Sequence, residues 1–161
     1  MNLKEYVEKV KDTLIDYDGM YGSQCVDLIK HYSQNVLIKL SFGSAKNGWN
    51  NTYNTFSESQ FEKIQDKSKF QVDIIFWNRK YGHVAIITKI FGNAFEVVEQ
   101  NVNDKGTDDC VKLSVYPNHY DVLVYRFKGK MSQEMEEKLS KAQELIWNKD
   151  DNPASRAEIA L

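Results

Sequence analysis

The chain has 161 residues, 42% of them hydrophobic, with two prolines and a formal net charge of −2. That is enough for one ordinary domain with its own core and a short appendage, and it excludes a disordered or low-complexity chain. Charge is balanced up to residue 128 and the acidic excess lies in residues 129–161, so neither a nucleic-acid partner nor a polybasic membrane surface is expected.

Leu3, Tyr6, Val7, Val10 and Leu14 recur at helical spacing and predict an amphipathic first helix. A turn-rich stretch from Asp16 to Gln24 follows. A second helical pattern opens near Cys25, and Leu28, Ile29, Tyr32, Val36 and Leu37 carry it to about Leu40. Residues 41–57, rich in Asn, Ser and Gly, read as a long loop holding Trp49, Tyr53 and Phe56. From about Val72 the pattern becomes strand-like, with runs at 73–77, 83–90, 94–101, 111–116 and 122–127. Helices first and strands after predict an α+β domain with an antiparallel sheet.

Met135, Leu139, Ala142, Leu145 and Ile146 form one stripe of a solvated helix, and Asn152-Pro153 reads as an N-cap with proline at the first helical position. Residues 129–161 are therefore expected as a helical tail. Their alternative reading is a truncated wall-binding or linker module, because Asn152 to Ala160 weakly resembles a repeat of wall-anchoring modules. A helix that caps the domain or self-associates with another chain fits the same stripe.

Two cysteines, Cys25 and Cys110, make no disulfide framework, and with no CxxC or Cys/His cluster a structural zinc is not expected. The first residues lack the apolar core of a signal peptide, and no apolar run is long enough to span a bilayer. The expectation is a protein made in a cytosol, without membrane insertion, that depends on release or export to act outside.

Chemistry concentrates at four places. Cys25 falls where a loop meets the start of a helix, where backbone N–H groups and the helix dipole favour a thiolate. His83 opens a strand after a Tyr-Gly turn. Glu99 and Asn101 are two apart on one expected strand, so both are expected on one face, and either can hold an imidazole in its working tautomer. Gln24 and the Cys25 backbone N–H are candidate oxyanion donors. Each piece has a plainer reading: a core cysteine, a satisfied histidine, a solvated glutamate. His31, His119 and Cys110 are read as structural or exposed bystanders.

Four local words occur in order: Tyr21-Gly-Ser-Gln-Cys25-Val-Asp27-Leu28, Asp73-Ile-Ile-Phe-Trp77, Tyr81-Gly-His83-Val-Ala, and Glu99-Gln-Asn101. Together they resemble the CHAP family, the cysteine, histidine-dependent amidohydrolase/peptidase domains of phage endolysins and bacterial peptidoglycan hydrolases, over residues 1–128. The resemblance implies a papain-like α+β fold with N-terminal helices packed on an antiparallel sheet. It further implies hydrolysis of an amide in the cell-wall peptide through a thioester, with peptidoglycan as partner. By position, Cys25 matches the nucleophile, His83 the base, Glu99 the residue that orients it, and Asn101 a further polar member. Amidase and cross-bridge endopeptidase are both compatible. A non-catalytic wall-binding or virion tail protein of the same fold is the competing reading.

Asp16 and Asp18 lie two apart in a glycine-containing turn, with Asp27 nearby, much as loops for hard cations present carboxylates. Solvated turn formers have the same spacing. Some phage CHAP domains bind calcium in this loop, and the resemblance implies Asp16, Asp18 and Asp27 as ligands, with carbonyls near Met20 and Gly22 completing the shell. Gly22 departs from the family pattern, standing where some calcium-binding members carry a ligating side chain. No organic cofactor is expected. Among the aromatics, Trp49 is the expected substrate contact, whereas Trp77, on a strand, reads equally well as core.

Overall fold

The computed structural model describes residues 1–19, 22–71, 73–102 and 109–129. Helix α1 spans Leu3–Val10, capped by Asn2, whose side chain accepts the Glu5 N–H at 2.9 Å. It stops short of the expected Leu14. Asp12 turns left-handed (φ +65°), and the chain leaves the helix to pair with Val111, through Asp12 N–H to Val111 O at 2.8 Å and Val111 N–H to Thr13 O at 2.9 Å. Leu14 is consequently exposed. Helix α2 spans Cys25–Val36, ending before Leu40, which is buried in the core from outside the helix.

The expected loop at 41–57 contains a helix, α3, at Ala45–Asn50. Its sequence, Ala-Lys-Asn-Gly-Trp-Asn, is a poor helix former. Two features compensate. Ser44 caps it by accepting the Asn47 N–H at 3.2 Å. Gly48 lets it lie directly on the sheet, since a Cβ there would meet Phe76 Cε1 at 2.3 Å.

Six strands follow: β1 at Phe61–Ile64, β2 at Ile74–Trp77, β3 at His83–Phe91, β4 at Ala94–Glu99, β5 at Lys112–Pro117 and β6 at Val122–Phe127. They form one sheet in the order β1-β6-β2-β3-β4-β5, and every pairing is antiparallel. Five of these strands are the expected ones. The unexpected β1 is an edge strand whose only apolar residues are its two ends. It is held by β6 and by an aromatic cluster in which Phe56 stacks on Tyr125 at 4.5 Å and meets Phe61 edge-on at 5.0 Å.

Alternation along the strands builds two cores. Phe76, Val84 and Ile86 bury against Tyr6, Leu28 and Ile29 of the helices. Ile75, Trp77, Ala85, Ile87 and Val97 bury on the other face. Each fully buried Val, Leu, Ile or Phe among these contributes about 1.5–3 kcal/mol. Asp73, at the entry to β2, is clamped by Arg126 of β6 through two bonds of 3.0 and 2.9 Å. Met1–Phe127 forms one compact unit. The tail helices expected beyond residue 129 lie outside the described residues.

Candidate active site

Four segments of this fold converge on one cleft of about 620 Å³. Gln24 and Cys25 enter it from the start of α2, Ala45 and Lys46 from α3, Lys80 to Gly82 from the turn before β3, and Asn101 from beyond β4. Gly82 makes the approach possible. Its φ is +71°, and a Cβ would sit 2.7 Å from the Lys46 nitrogen and 2.8 Å from the Ala45 carbonyl carbon. The glycine before His83 therefore brings the start of α3 against the strand that carries the histidine.

Cys25 is the first residue of α2, 8% exposed at the cleft and in no disulfide. The helix start is fixed by Asp27, whose Oδ2 accepts the Gln24 N–H at 2.8 Å. His83 opens β3 opposite Trp77, whose ring centroid lies 5.2 Å from the imidazole. His83 and Glu99 are both fully buried, with Nε2 2.9 Å from Glu99 Oε1. Burial pushes the Glu99 carboxyl up, but hydrogen bonds from His83, Ser114 and Tyr116 outweigh it and hold the group below its usual range. An ionised Glu99 accepts a proton-bearing Nε2, which leaves the lone pair on Nδ1. That nitrogen is buried and makes no hydrogen bond within the described protein.

Glu99 and Asn101 do not continue one strand, as their spacing predicts. Strand β4 ends at Glu99, and Asn101 is left-handed (φ +53°), with its N–H donated to Asp109 O at 3.0 Å. The break separates them: Glu99 bonds the buried imidazole, neither of the two lining the cleft, whereas Asn101 lines it with Cys25. Trp49 sits on α3, half-buried against the helix-side core, and does not line this cleft, where the exposed aromatic is Tyr81. Trp77 is core. Sequence reading missed Tyr116, whose hydroxyl reaches both oxygens of Glu99 from the neighbouring strand β5. Nothing local marks it, because the contact depends on β4–β5 register.

The three aspartates do come together. Carboxylate oxygens of Asp16, Asp18 and Asp27 lie within 4.8 Å of one another. Asp16 and Asp18 are exposed; Asp27 is fully buried, and its Oδ1 has no protein partner. Burial pushes the Asp27 carboxyl up to about 6; the Gln24 N–H opposes that shift, and repulsion from Asp18 and Asp16 adds to it. Lys30 lies 3.4 Å from Asp18 and offsets part of this charge. A buried carboxylate oxygen without a partner, beside two more carboxylates, is a donor set that fits a hard divalent cation. Gly22 is left-handed (φ +73°), while Met20 lies outside the described residues.

The CHAP domain family model matches residues 15–101, slightly more than half of the chain. The chain is 26% identical over 142 residues to the endolysin PlyTW of Staphylococcus phage Twort (strain DSM 17442 / HER 48), covering 81% of this chain but 30% of that relative. It thus spans less than a third of that relative's length. Among solved structures it resembles the crystal structure of a wild type endolysin LysIME-EF1, with a TM-score of 0.63 and 22% identity, over 76% of this chain and 61% of that one. At that identity the likeness concerns the fold.

Proposed function

Since the chain belongs to the CHAP domain family, we propose that it is an endolysin-type peptidoglycan hydrolase that cleaves an amide bond in the cell-wall peptide. Cys25 is the nucleophile, His83 the base, Glu99 the group that orients and charges the base, and Asn101 a polar member at the cleft. The observation that carries this reading is the buried His83–Glu99 pair, which commits Nε2 at 2.9 Å and leaves Nδ1 as the basic nitrogen.

In this mechanism His83 Nδ1 takes the Cys25 proton and the thiolate attacks the scissile carbonyl. The oxyanion is met by N–H donors at the start of α2, with Gln24 beside them. The imidazolium returns the proton to the leaving amine, giving a thioester. Water then attacks the thioester, with His83 again taking a proton, and the thiolate departs. An ionised Glu99 stabilises the imidazolium in both halves.

Asp16, Asp18 and Asp27 would hold a calcium ion, with carbonyls near Met20 and Gly22 as further ligands. Such an ion would neutralise the carboxylate cluster and order the loop before the nucleophile, and the proton steps stay with His83. Both relatives are endolysins by name, and one is from a phage; the matching reading here is a protein made in the host cytoplasm that reaches the wall after release. Among the described residues no helix is long and apolar enough to cross a membrane.

The test is digestion of purified Gram-positive peptidoglycan, with mass spectrometry of the new ends, for the wild type and for Cys25→Ala. New ends that disappear in the variant support the reading and identify the bond as amidase or endopeptidase. Sedimentation with walls but no cleavage across several wall types supports the wall-binding alternative instead.

A further inference from the structure

Gln100 has no role in the chemistry above, yet its side chain is among the most completely buried polar groups of the protein. Its Oε1 accepts the Ile15 N–H at 2.8 Å. Its Nε2 donates to the Ile15 carbonyl at 2.8 Å and to the Gln24 carbonyl at 2.8 Å. The partners fix the orientation of the amide, since one is a donor and two are acceptors. Both N–H bonds of the amide are used, and all three contacts join segments more than seventy residues apart in sequence.

The positions joined are specific. Ile15 immediately precedes the acidic loop that begins at Asp16. Gln24 is the N-cap of α2 and immediately precedes Cys25. Gln100 itself lies between Glu99, bonded to the imidazole, and Asn101 in the cleft, just past the last residue of β4. Apolar packing between α2 and the sheet is non-directional and does not by itself fix the helix along its axis. Hydrogen bonds from a buried amide are directional and do.

We propose that Gln100 is a positioning residue that locks the Cys25 end of α2 and the entry of the acidic loop to the strand end bearing Glu99, and so sets the nucleophile against the His83–Glu99 pair. The inference rests on the assignment of Cys25 and His83 made above. Displacements of about 1 Å in such an arrangement cost on the order of a hundredfold in rate.

The test uses Gln100→Met, which keeps length and volume but makes none of the bonds, and Gln100→Glu, which when ionised keeps only the acceptor. Both are made on Cys110→Ser, leaving Cys25 as the one thiol. Alkylation of Cys25 at pH 7 is measured together with wall lysis at saturating and limiting wall concentrations. Expected is a roughly tenfold or greater fall in alkylation rate and in saturated lysis, with the half-saturating wall concentration unchanged and far-UV circular dichroism retained. A residue that only stabilises the fold would lower the melting temperature and leave both rates intact below it; wild-type alkylation in Gln100→Met overturns the proposal. Alkylation needs no wall substrate, so a slowed Cys25 in a chain that cleaves no peptidoglycan supports Gln100 while rejecting the hydrolase reading. Amide exchange in the wild type is independent of any variant's folding: a protected Ile15 amide supports the clamp, and one exchanging at the free rate overturns it.

Discussion

The Tyr116 hydroxyl sits astride the Glu99 carboxylate, 2.7 Å from Oε1 and 2.8 Å from Oε2, and donates its proton to the pair. Glu99 is thus held among three donors, Tyr116 and Ser114 on β5 and His83 on β3. Burial first, then the Glu99 hydrogen bond and charge, push the Tyr116 phenol well above its ordinary range, so it stays a donor throughout the working pH range. Phe at this position keeps the ring against Trp77 and removes the bond.

Tyr116→Phe is therefore expected to reduce lysis by roughly three- to thirtyfold and to destabilise the domain by about 1.5–3 kcal/mol, the range for a hydrogen bond to a charged group. Glu99→Gln should cost more in rate, since it removes the charge that stabilises the imidazolium. Chemical denaturation and wall turbidity measure the two effects. Tyr116→Phe with wild-type stability and rate would show that this bond contributes nothing.

The cluster of Asp16, Asp18 and Asp27 predicts that calcium raises the melting temperature and that Asp27→Asn abolishes the rise. A ligand that binds only the folded state at a hundred times its Kd adds about 2.7 kcal/mol. Without calcium, Asp27→Asn should match or exceed the wild type in stability, because it removes a carboxylate whose ionisation burial and two like charges oppose. Full lysis in excess chelator would exclude a required ion.

What was legible in the sequence was whatever short contiguous stretches encode. Cys25 at a helix start, His83 after Tyr81-Gly82 and the β-branched runs of β2 to β4 each carry their own signal. The partners from distant segments were not legible. Tyr116 reaches Glu99 only through β4–β5 register, and Gln100 reaches Ile15 and Gln24 only in the folded chain. Helix α3 was hidden by its composition, because the Ser44 cap and the Gly48–Phe76 contact supply what its propensity lacks. The break after Glu99 was hidden because alternation says nothing about where a strand stops.

Gly82 offers a test of the cleft that does not depend on chemistry. Alanine there must adopt φ near +71° and place a Cβ 2.7 Å from the Lys46 backbone nitrogen. Backbone on backbone cannot yield as a flexible side chain does, so α3 or the turn must move. Gly82→Ala is expected to lose about 2 kcal/mol or more. It should also lower the alkylation rate of Cys25, since the wall facing the thiol is displaced. Gly92→Ala has a positive φ but nothing within 4 Å of the added carbon, so it should show the smaller backbone cost alone.

His31 gives the fold a pH dependence of predictable sign. Its Nδ1 lies 2.8 Å from the Tyr6 hydroxyl, at the contact of α1 with α2. Burial first, and then the charge of Lys9, lower its pKa from the ordinary 6.5. The unfolded chain therefore binds a proton more readily than the folded one, and stability rises with pH across the interval between the two values. This contribution is complete above the unfolded pKa and is lost as pH falls below it and through the lower folded value. Asp27 acts oppositely: its carboxyl is raised to about 6, so its ionisation weakens the fold as pH rises from its unfolded value. The two are separated by comparing His31→Gln with the wild type at pH 7.5 and pH 5.5, without calcium. Asp27 contributes equally to both proteins and cancels. The wild type should lose more stability than His31→Gln on going to pH 5.5, and equal losses would remove His31 as the source.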